Sequence, residues 1–293
     1  QDEIAVIARG EETYIGTVGG RKIENEMTGN IADICPVGAL TSIDFRFEAR
    51  PWELSNVKTI CTNCSKGCNT VAGYHPRRNK ILRVTSRENM DVNQWWICDR
   101  GRGQFHQVHD VVRIAFPTYR PRTPGAPTRQ VGWDDAIAQV AGSIKDAIAR
   151  QGSDAVGVIS SGELSNEELF LARRIFVDGL GLSQLDFPER PQPPVVYPKF
   201  TIEGDKNPNT RGAQLLQGTA GGRSVRDILA AAADGRIGVL LFLRGGSPET
   251  FGDEARVARA LERAGLVVVI DFVASSISDR ADWVLPGVSH FEK

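Results

Sequence analysis

Four cysteines in the first third of the chain constrain its fold more than any other feature. Cys61-Thr-Asn-Cys64-Ser-Lys-Gly-Cys68 is a Cys-x2-Cys-x3-Cys run, and Cys98 follows after 29 residues. Three thiolates from one tight loop can wrap one face of a compact metal centre. A distant fourth closes the cage once the intervening chain folds back. Four thiolates are the usual complement of a [4Fe–4S] cubane. Gly67 allows the loop the positive φ that such a wrap needs. Lys66 and Arg100 stand beside the ligands, where positive charge favours thiolate formation and raises a reduction potential. A structural zinc site is the plainer alternative, but zinc favours two separated Cys-x2-Cys pairs and the 3+1 spacing fits that poorly. Free thiols are the remaining alternative.

The fifth cysteine, Cys35, precedes Pro36, and Cys-Pro is a frequent ending of a cluster motif. A lone cysteine can equally be a buried core residue. As a ligand it would need three partners upstream of Gln1. No cysteine follows Cys98. An odd count in a mid-sized chain without a secretory signal favours metal binding over a disulfide framework. The opening at Gln1 and the ending at Lys293 read as a fragment cut at both ends.

The rest of the chain alternates helix and strand signals. With 293 residues, about two domains are expected at ~150 residues each. Short strand runs (4–7 and 13–18) precede the cysteines, and 70–74 with 80–84 read as a hairpin around His75–Asn79. Trp133, Ile137, Val140, Ala141, Ile144 and Ile148 share one helical face. Ala155–Ile159, Ile237–Leu243 and Leu266–Ile270 read as buried strands, the last two joined by a helix over 254–264. Capping boxes open helices at Ser165 and Ser224, and Gly235 closes the second. Residues 186–222, rich in Pro, Gly and Asn, read as a long loop. The expected fold is α/β with a small β-rich iron–sulfur domain.

A formal net charge of -1 argues against a nucleic-acid or anionic-membrane binder, and no apolar run approaches the ~18 residues of a membrane span, so no direct membrane insertion is expected. Gly218–Gly222 and Gly245-Gly246 lack a Walker or Gly-x-Gly-x-x-Gly setting and read as turns. Asp271 at a strand end reads as a cap or loop contact, with no glycine fingerprint before it. His75, His106, His109 and His290 are scattered. His106 and His109 follow the last cysteine closely enough to reach a cluster by hydrogen bonding, though exposed loop histidines are the commoner case.

Ile34–Thr41, Phe45–Phe47, Arg50–Leu54, the Cys61–Cys68 run, Arg87–Asn89, Asn93, Trp96 and Cys98–Arg102 together resemble the large iron–sulfur subunit of respiratory NADH:quinone oxidoreductase. The resemblance implies that Cys35 is the fourth ligand of a second [4Fe–4S] cluster, complete only in a full-length protein. It implies an additional [4Fe–4S] cluster, off the main electron wire, on Cys61, Cys64, Cys68 and Cys98. It also implies electron relay from NADH oxidation toward quinone, with a NADH-binding flavin subunit and downstream iron–sulfur subunits as partners. The expected location is cytoplasmic, at the inner face of a bacterial plasma membrane. No complete active site is expected on the chain.

Gly132–Ala136, Asp205–Gly212 and Arg280–Gly287 resemble the molybdopterin oxidoreductase fold, here incomplete. The implied domains are a ferredoxin-like remainder (1–56), a [4Fe–4S] domain (57–115) and a truncated α/β domain (116–293). Formate dehydrogenases of that type are the main alternative. They carry a Cys or selenocysteine metal ligand after a Leu-Gly…Asp stretch, and a Lys two residues after the last cluster cysteine. Here Leu180–Asp186 is followed by no cysteine, and Arg100 holds the Lys position. No molybdopterin is expected. A structural four-cysteine module is the third reading.

Overall fold

The first strands are short runs rich in apolar and β-branched residues: β1 (Ile4–Ile7) and β2 (Tyr14–Thr17) pair antiparallel with Ile4 opposite Thr17. A short helix α1 (Gly29–Ile34) follows. Next, β3 (Ser55–Ile60), β4 (Asn69–His75) and β5 (Lys80–Ser86) make an antiparallel sheet in chain order. The β4–β5 turn falls on the expected hairpin, with Asn79 at φ 50° supplying the left-handed residue. One turn of helix, α2 (Asp99–Arg102), closes this region. The computed structural model describes residues 3–123, 125–217, 223–244, 246 and 248–292.

The chain divides into two compact units, residues 1–105 with 196–202, and residues 106–195 with 203–293. The second begins with α3 (His106–His109), β6 (Thr118–Tyr119), β7 (Arg129–Gln130) and the long α4 (Trp133–Gln151). Then come β8 (Val156–Ile159), α5 (Asn166–Ala172, continuing as a wider π-type helix over 173–179) and β9 (Leu185–Asp186). A small hairpin, β10 (Val195–Tyr197) and β11 (Phe200–Ile202), precedes α6 (Thr210–Gln217) and α7 (Val225–Ala233). The chain ends with β12 (Val239–Leu243), α8 (Glu254–Arg263), β13 (Leu266–Asp271) and β14 (Trp283–Pro286).

The large sheet runs β7-β6-β14-β13-β12-β8-β9, parallel from β14 to β9. Its central strands are apolar at nearly every position because both faces are covered. Leu240, Phe242, Val267 and Val269 pack with Ile228 of α7 and Val257 of α8. Val239, Leu241, Val268 and Val158 point the other way, against Val140 and Ile144 of α4. Period-two alternation thus divides one run of Val and Leu between two cores.

Two expectations need correction. The buried face of α4 is Ala136, Val140, Ile144 and Ala147, while Trp133 and Ile137 are about half exposed (47% and 55%). Alanines carry the contact because the helix lies close to the sheet. Residues 186–222 also hold more structure than a loop: a hairpin and α6 lie within them. Gly218–Gly222 and Gly245 lie outside the described residues.

Candidate metal centre

The Cys61–Cys68 loop is the connection between β3 and β4. Strand pairing ends at Ile60 opposite Asn69, and Cys61 N then donates to Cys68 O at 2.8 Å. The eight residues are therefore closed at their base. Inside, Gly67 N donates to Cys64 O at 3.4 Å, and Gly67 adopts φ 64°. A Cβ there would meet nothing nearer than Ile60 Cγ2 at 3.7 Å. The glycine is needed for its torsion and not for space.

Cys98 arrives on a separate segment held by two buried asparagines. Asn93 sends Nδ2 to Arg87 O and Trp96 O, both at 3.1 Å, and its Oδ1 accepts from Asn69 N at 2.9 Å. It thereby ties the approach to Cys98 to the residue that follows Cys68. Asn30, in α1, donates Nδ2 to Ile97 O at 2.9 Å and accepts from Ile97 N at 3.3 Å. Beyond Cys98, the Asp99 carboxylate accepts from Thr28 N (3.0 Å) and Gly29 N (2.7 Å). Burial raises the Asp99 pKa, and the Gly29 N–H works against that rise. A Cβ on Gly29 would overlap Arg102 Cδ, so only glycine lets the two segments approach this closely.

Cys61, Cys64, Cys68 and Cys98 are all buried and none forms a disulfide. Cys61, Cys68 and Cys98 form one apolar cluster with Phe200 and Ile202, joined by Met27, Trp96 and Tyr197. Cys64 interacts electrostatically with the other three. Burial first, with the neighbouring sulfurs adding to it, pushes the Cys61 and Cys68 thiols up to about 12, against the Asn63 N–H at Cys61 and the Lys66 ammonium at Cys68. Cys98 is raised by burial too, against the Gly101 N–H. Thiols raised in this way become thiolates together only around a cation that receives their charge.

The surroundings fit a sulfur-rich centre. Trp96 Nε1 and Gln104 Nε2 are buried donors without a protein partner, and Gln104 Oε1 accepts from Thr62 N next to Cys61. Gly101 is obligatory beside the sulfurs, since a Cβ would stand 2.8 Å from Ile97 Cγ1 and 3.2 Å from Cys61 Sγ. A single zinc with Zn–S bonds of ~2.3 Å requires sulfurs about 3.8 Å apart, whereas in a cubane each thiolate ligates a different iron and the sulfurs stand further off.

Cys35 stands apart from this cluster and is half-buried. Its Sγ accepts from Leu40 N at 3.5 Å. The Leu40 N–H lowers its pKa most, burial opposes, and the Ala39, Val37 and Gly38 N–H groups add to the lowering. Backbone N–H donors around a thiol favour its thiolate form. Arg100 turns away to Glu26 at 3.0 Å, while Lys66 Nζ lies 5.0 Å from the Phe200 ring centroid. Sequence reasoning missed Phe200 and Ile202. Their signal was the alternating Val195–Tyr197 and Phe200–Ile202 runs flanking Pro198-Lys199.

In the α/β unit a cavity of about 230 Å³ opens at the carboxyl ends of β8, β12 and β13. Its charges answer one another: Glu163 pairs with Arg190 at 2.8 Å and Arg244 at 2.7 Å. Asp271 accepts from Phe272 N at 2.7 Å, a loop contact as expected.

Residues 1–41 match the family model of the NADH-quinone oxidoreductase subunit 3 ferredoxin-like domain, and residues 54–110 match that of the molybdopterin oxidoreductase Fe4S4 domain. The chain is 31% identical over 183 residues to the NADPH-Fe(3+) oxidoreductase subunit alpha of Geobacter sulfurreducens, covering 62% of this chain and 20% of that one. It is 32% identical over 187 residues to a subunit of the NADH-quinone oxidoreductase of Streptomyces coelicolor (64% and 21%). With NADH-quinone oxidoreductase subunit 3 of Thermus thermophilus the figures are 33% over 198 residues, 67% and 24%. The matched part spans a fifth to a quarter of these relatives. Among solved structures, acetylene hydratase from Pelobacter acetylenicus covers 77% of this chain and 28% of its own at 16% identity. Its TM-score of 0.40 is too low for the likeness to carry weight.

Proposed function

For a chain related by sequence to the large iron–sulfur subunits of NADH-quinone oxidoreductases, we propose one-electron relay through a [4Fe–4S] cluster on Cys61, Cys64, Cys68 and Cys98. The observation that carries the reading is the gathering of four buried, unbridged thiols inside the segment that matches an Fe4S4 domain. When bound, such a centre takes up and returns one electron at a time. The residues hold it, exclude water and set its potential. The Cys61–Cys68 loop supplies three ligands from a closed base, and Asn93 and Asn30 fix the fourth. Trp96 Nε1 and Gln104 Nε2, buried donors without a protein partner, would stabilise the more negative, reduced state by donating to sulfur.

Cys35 belongs to the same proposal as the fourth ligand of a second [4Fe–4S] cluster, its other ligands lying outside this chain. So do the three domains 1–56, 57–115 and 116–293. The relatives' names differ in donor, NADPH or NADH, and in acceptor, Fe(3+) or quinone. What they share is removal of electrons from a reduced nicotinamide, and this chain is assigned to that flow, toward quinone. A flavin subunit that binds NADH and further iron–sulfur subunits would flank it, in an arm at the inner face of a bacterial membrane. No helix among the described residues is long and apolar enough to cross one.

Anaerobic reconstitution followed by iron, sulfide and zinc analysis tests the reading. About four irons and about four sulfides, with a spin-half EPR signal on reduction, are expected. One zinc without sulfide overturns it.

A further inference from the structure

Residues 190–206 make a hairpin whose two ends serve different units. The stem lies in the α/β unit: Pro191 bridges Asp205, Gln192 N donates to Gly204 O at 2.8 Å, and Lys206 N donates to Arg190 O at 3.0 Å. Gly204 is fixed there by space, because a Cβ would overlap Gln192 O. The tip, residues 196–202, belongs to the cysteine-bearing unit. Along β11, Phe200 and Ile202 lie two residues apart and so share one face. They are 7% and 4% exposed, and they pack against Cys61, Cys68 and Cys98. Val196 in β10 is 72% exposed, and its neighbour Tyr197 joins the buried group.

A polar, Pro-rich excursion that ends by burying a phenylalanine and an isoleucine on thiols needs a reason. Apolar burial alone does not supply one, because the hydrophobic effect is non-directional and any apolar surface would serve. Here the surface is the ligand set, and Lys66 from the ligand loop lies over the Phe200 ring at 5.0 Å, within cation–π range. Resting on the cluster reading above, we propose that the Tyr197–Ile202 tip is the solvent cap of the Cys61–Cys98 centre. Phe200 and Ile202 keep water and dioxygen from its sulfurs, and Phe200 holds the Lys66 ammonium beside Cys68. Excluding water disfavours the added negative charge of reduction, so the cap lowers the reduction potential.

The test uses the full chain, reconstituted anaerobically, with Phe200→Ala, Ile202→Ala and, as a control on the exposed face, Val196→Ala. On exposure to air, Phe200→Ala and Ile202→Ala should lose their visible cluster absorbance several-fold faster than the wild type, and Val196→Ala at the wild-type rate. An EPR-monitored titration should place Ile202→Ala, which leaves Lys66 against Phe200, at higher potential than the wild type. Wild-type bleaching rates in both cap variants, or equal acceleration in all three, would overturn the cap. If Phe200→Ala does not fold, Phe200→Leu takes its place, with a smaller acceleration expected and none overturning the proposal. A wild-type chain that takes up zinc without sulfide instead defeats the cluster reading itself, so the two failures are told apart.

Discussion

Asn30 and Ile97 hold each other in both directions: the asparagine amide donates to Ile97 O at 2.9 Å, and Ile97 N donates back to Asn30 Oδ1 at 3.3 Å. The pair is buried, and Ile97 immediately precedes Cys98. Asn30 Oδ1 also accepts from Arg102 Nη2 at 2.8 Å, so the side chain clamps both sides of the fourth cysteine. It stands five residues before Cys35. One side chain therefore links the segment bearing the proposed ligand of one cluster to the segment closing the other.

Replacing Asn30 by Ala strands a buried N–H and C=O at Ile97. The expected cost is ~1–3 kcal/mol. Urea unfolding of the chain should show a lower midpoint with an unchanged slope, and reconstituted protein should lose iron sooner on heating. An unchanged midpoint would show that water replaces the asparagine.

Gly67 and Gly101 separate torsion from space. Gly67→Ala forces an L-residue into the left-handed region at a cost of ~1–2 kcal/mol, with room for the methyl. Iron content should hold while stability falls. Gly101→Ala has ordinary torsions but drives a methyl against Ile97 and Cys61 Sγ. Here iron and sulfide content should fall. The same iron-to-protein ratio in both variants would refute the distinction.

The cysteines themselves divide four against one. Cys98→Ala should abolish the spin-half signal of the reconstituted chain, because a buried thiol of the proposed ligand set is lost. Cys35→Ala should leave that signal intact, since Cys35 lies outside the cluster that Cys61, Cys68 and Cys98 form. Loss of the signal in Cys35→Ala would mean that the assignment of ligands is wrong.

How much of this was legible beforehand follows from where the determining forces act. The β4–β5 hairpin, the Ser165 and Ser224 caps and the β12–α8–β13 unit are set by local chemistry, and each stands where the pattern put it. The Ser165 box is complete, with Glu168 N donating to Ser165 Oγ at 3.3 Å and Ser165 N to Glu168 Oε2 at 2.8 Å. The cysteine spacing likewise named four side chains, of which Cys61, Cys68 and Cys98 share one buried cluster and Cys64 couples to each of them electrostatically. The cap residues were hidden because strands of three residues have little propensity of their own, and Phe200 and Ile202 take their register from the cysteines they cover. The α4 face was misread because Trp133 and Ile137 outweigh alanine in hydropathy, while close packing on the sheet selects Ala136 and Ala147.

Acid stability should report on Glu163. Burial alone would raise its pKa, but Arg244 and Arg190, each bonded to one of its oxygens, outweigh burial and leave it lowered. A carboxyl whose folded pKa lies below its unfolded value adds stability above the unfolded value, and that stability is lost as pH falls through the folded one. Asp271 in the same cavity works in reverse: burial raises it, Arg244 only partly offsets this, and protonation relieves a penalty as pH falls. Glu163→Gln removes the first contribution and leaves Arg244 free to serve Asp271. The variant should therefore be less stable than the wild type at neutral pH. The gap should narrow on acidification through the carboxylate range. Urea midpoints of both proteins across that range give the answer. A gap that stays constant with pH would mean that Glu163 contributes packing and hydrogen bonds, and not its charge.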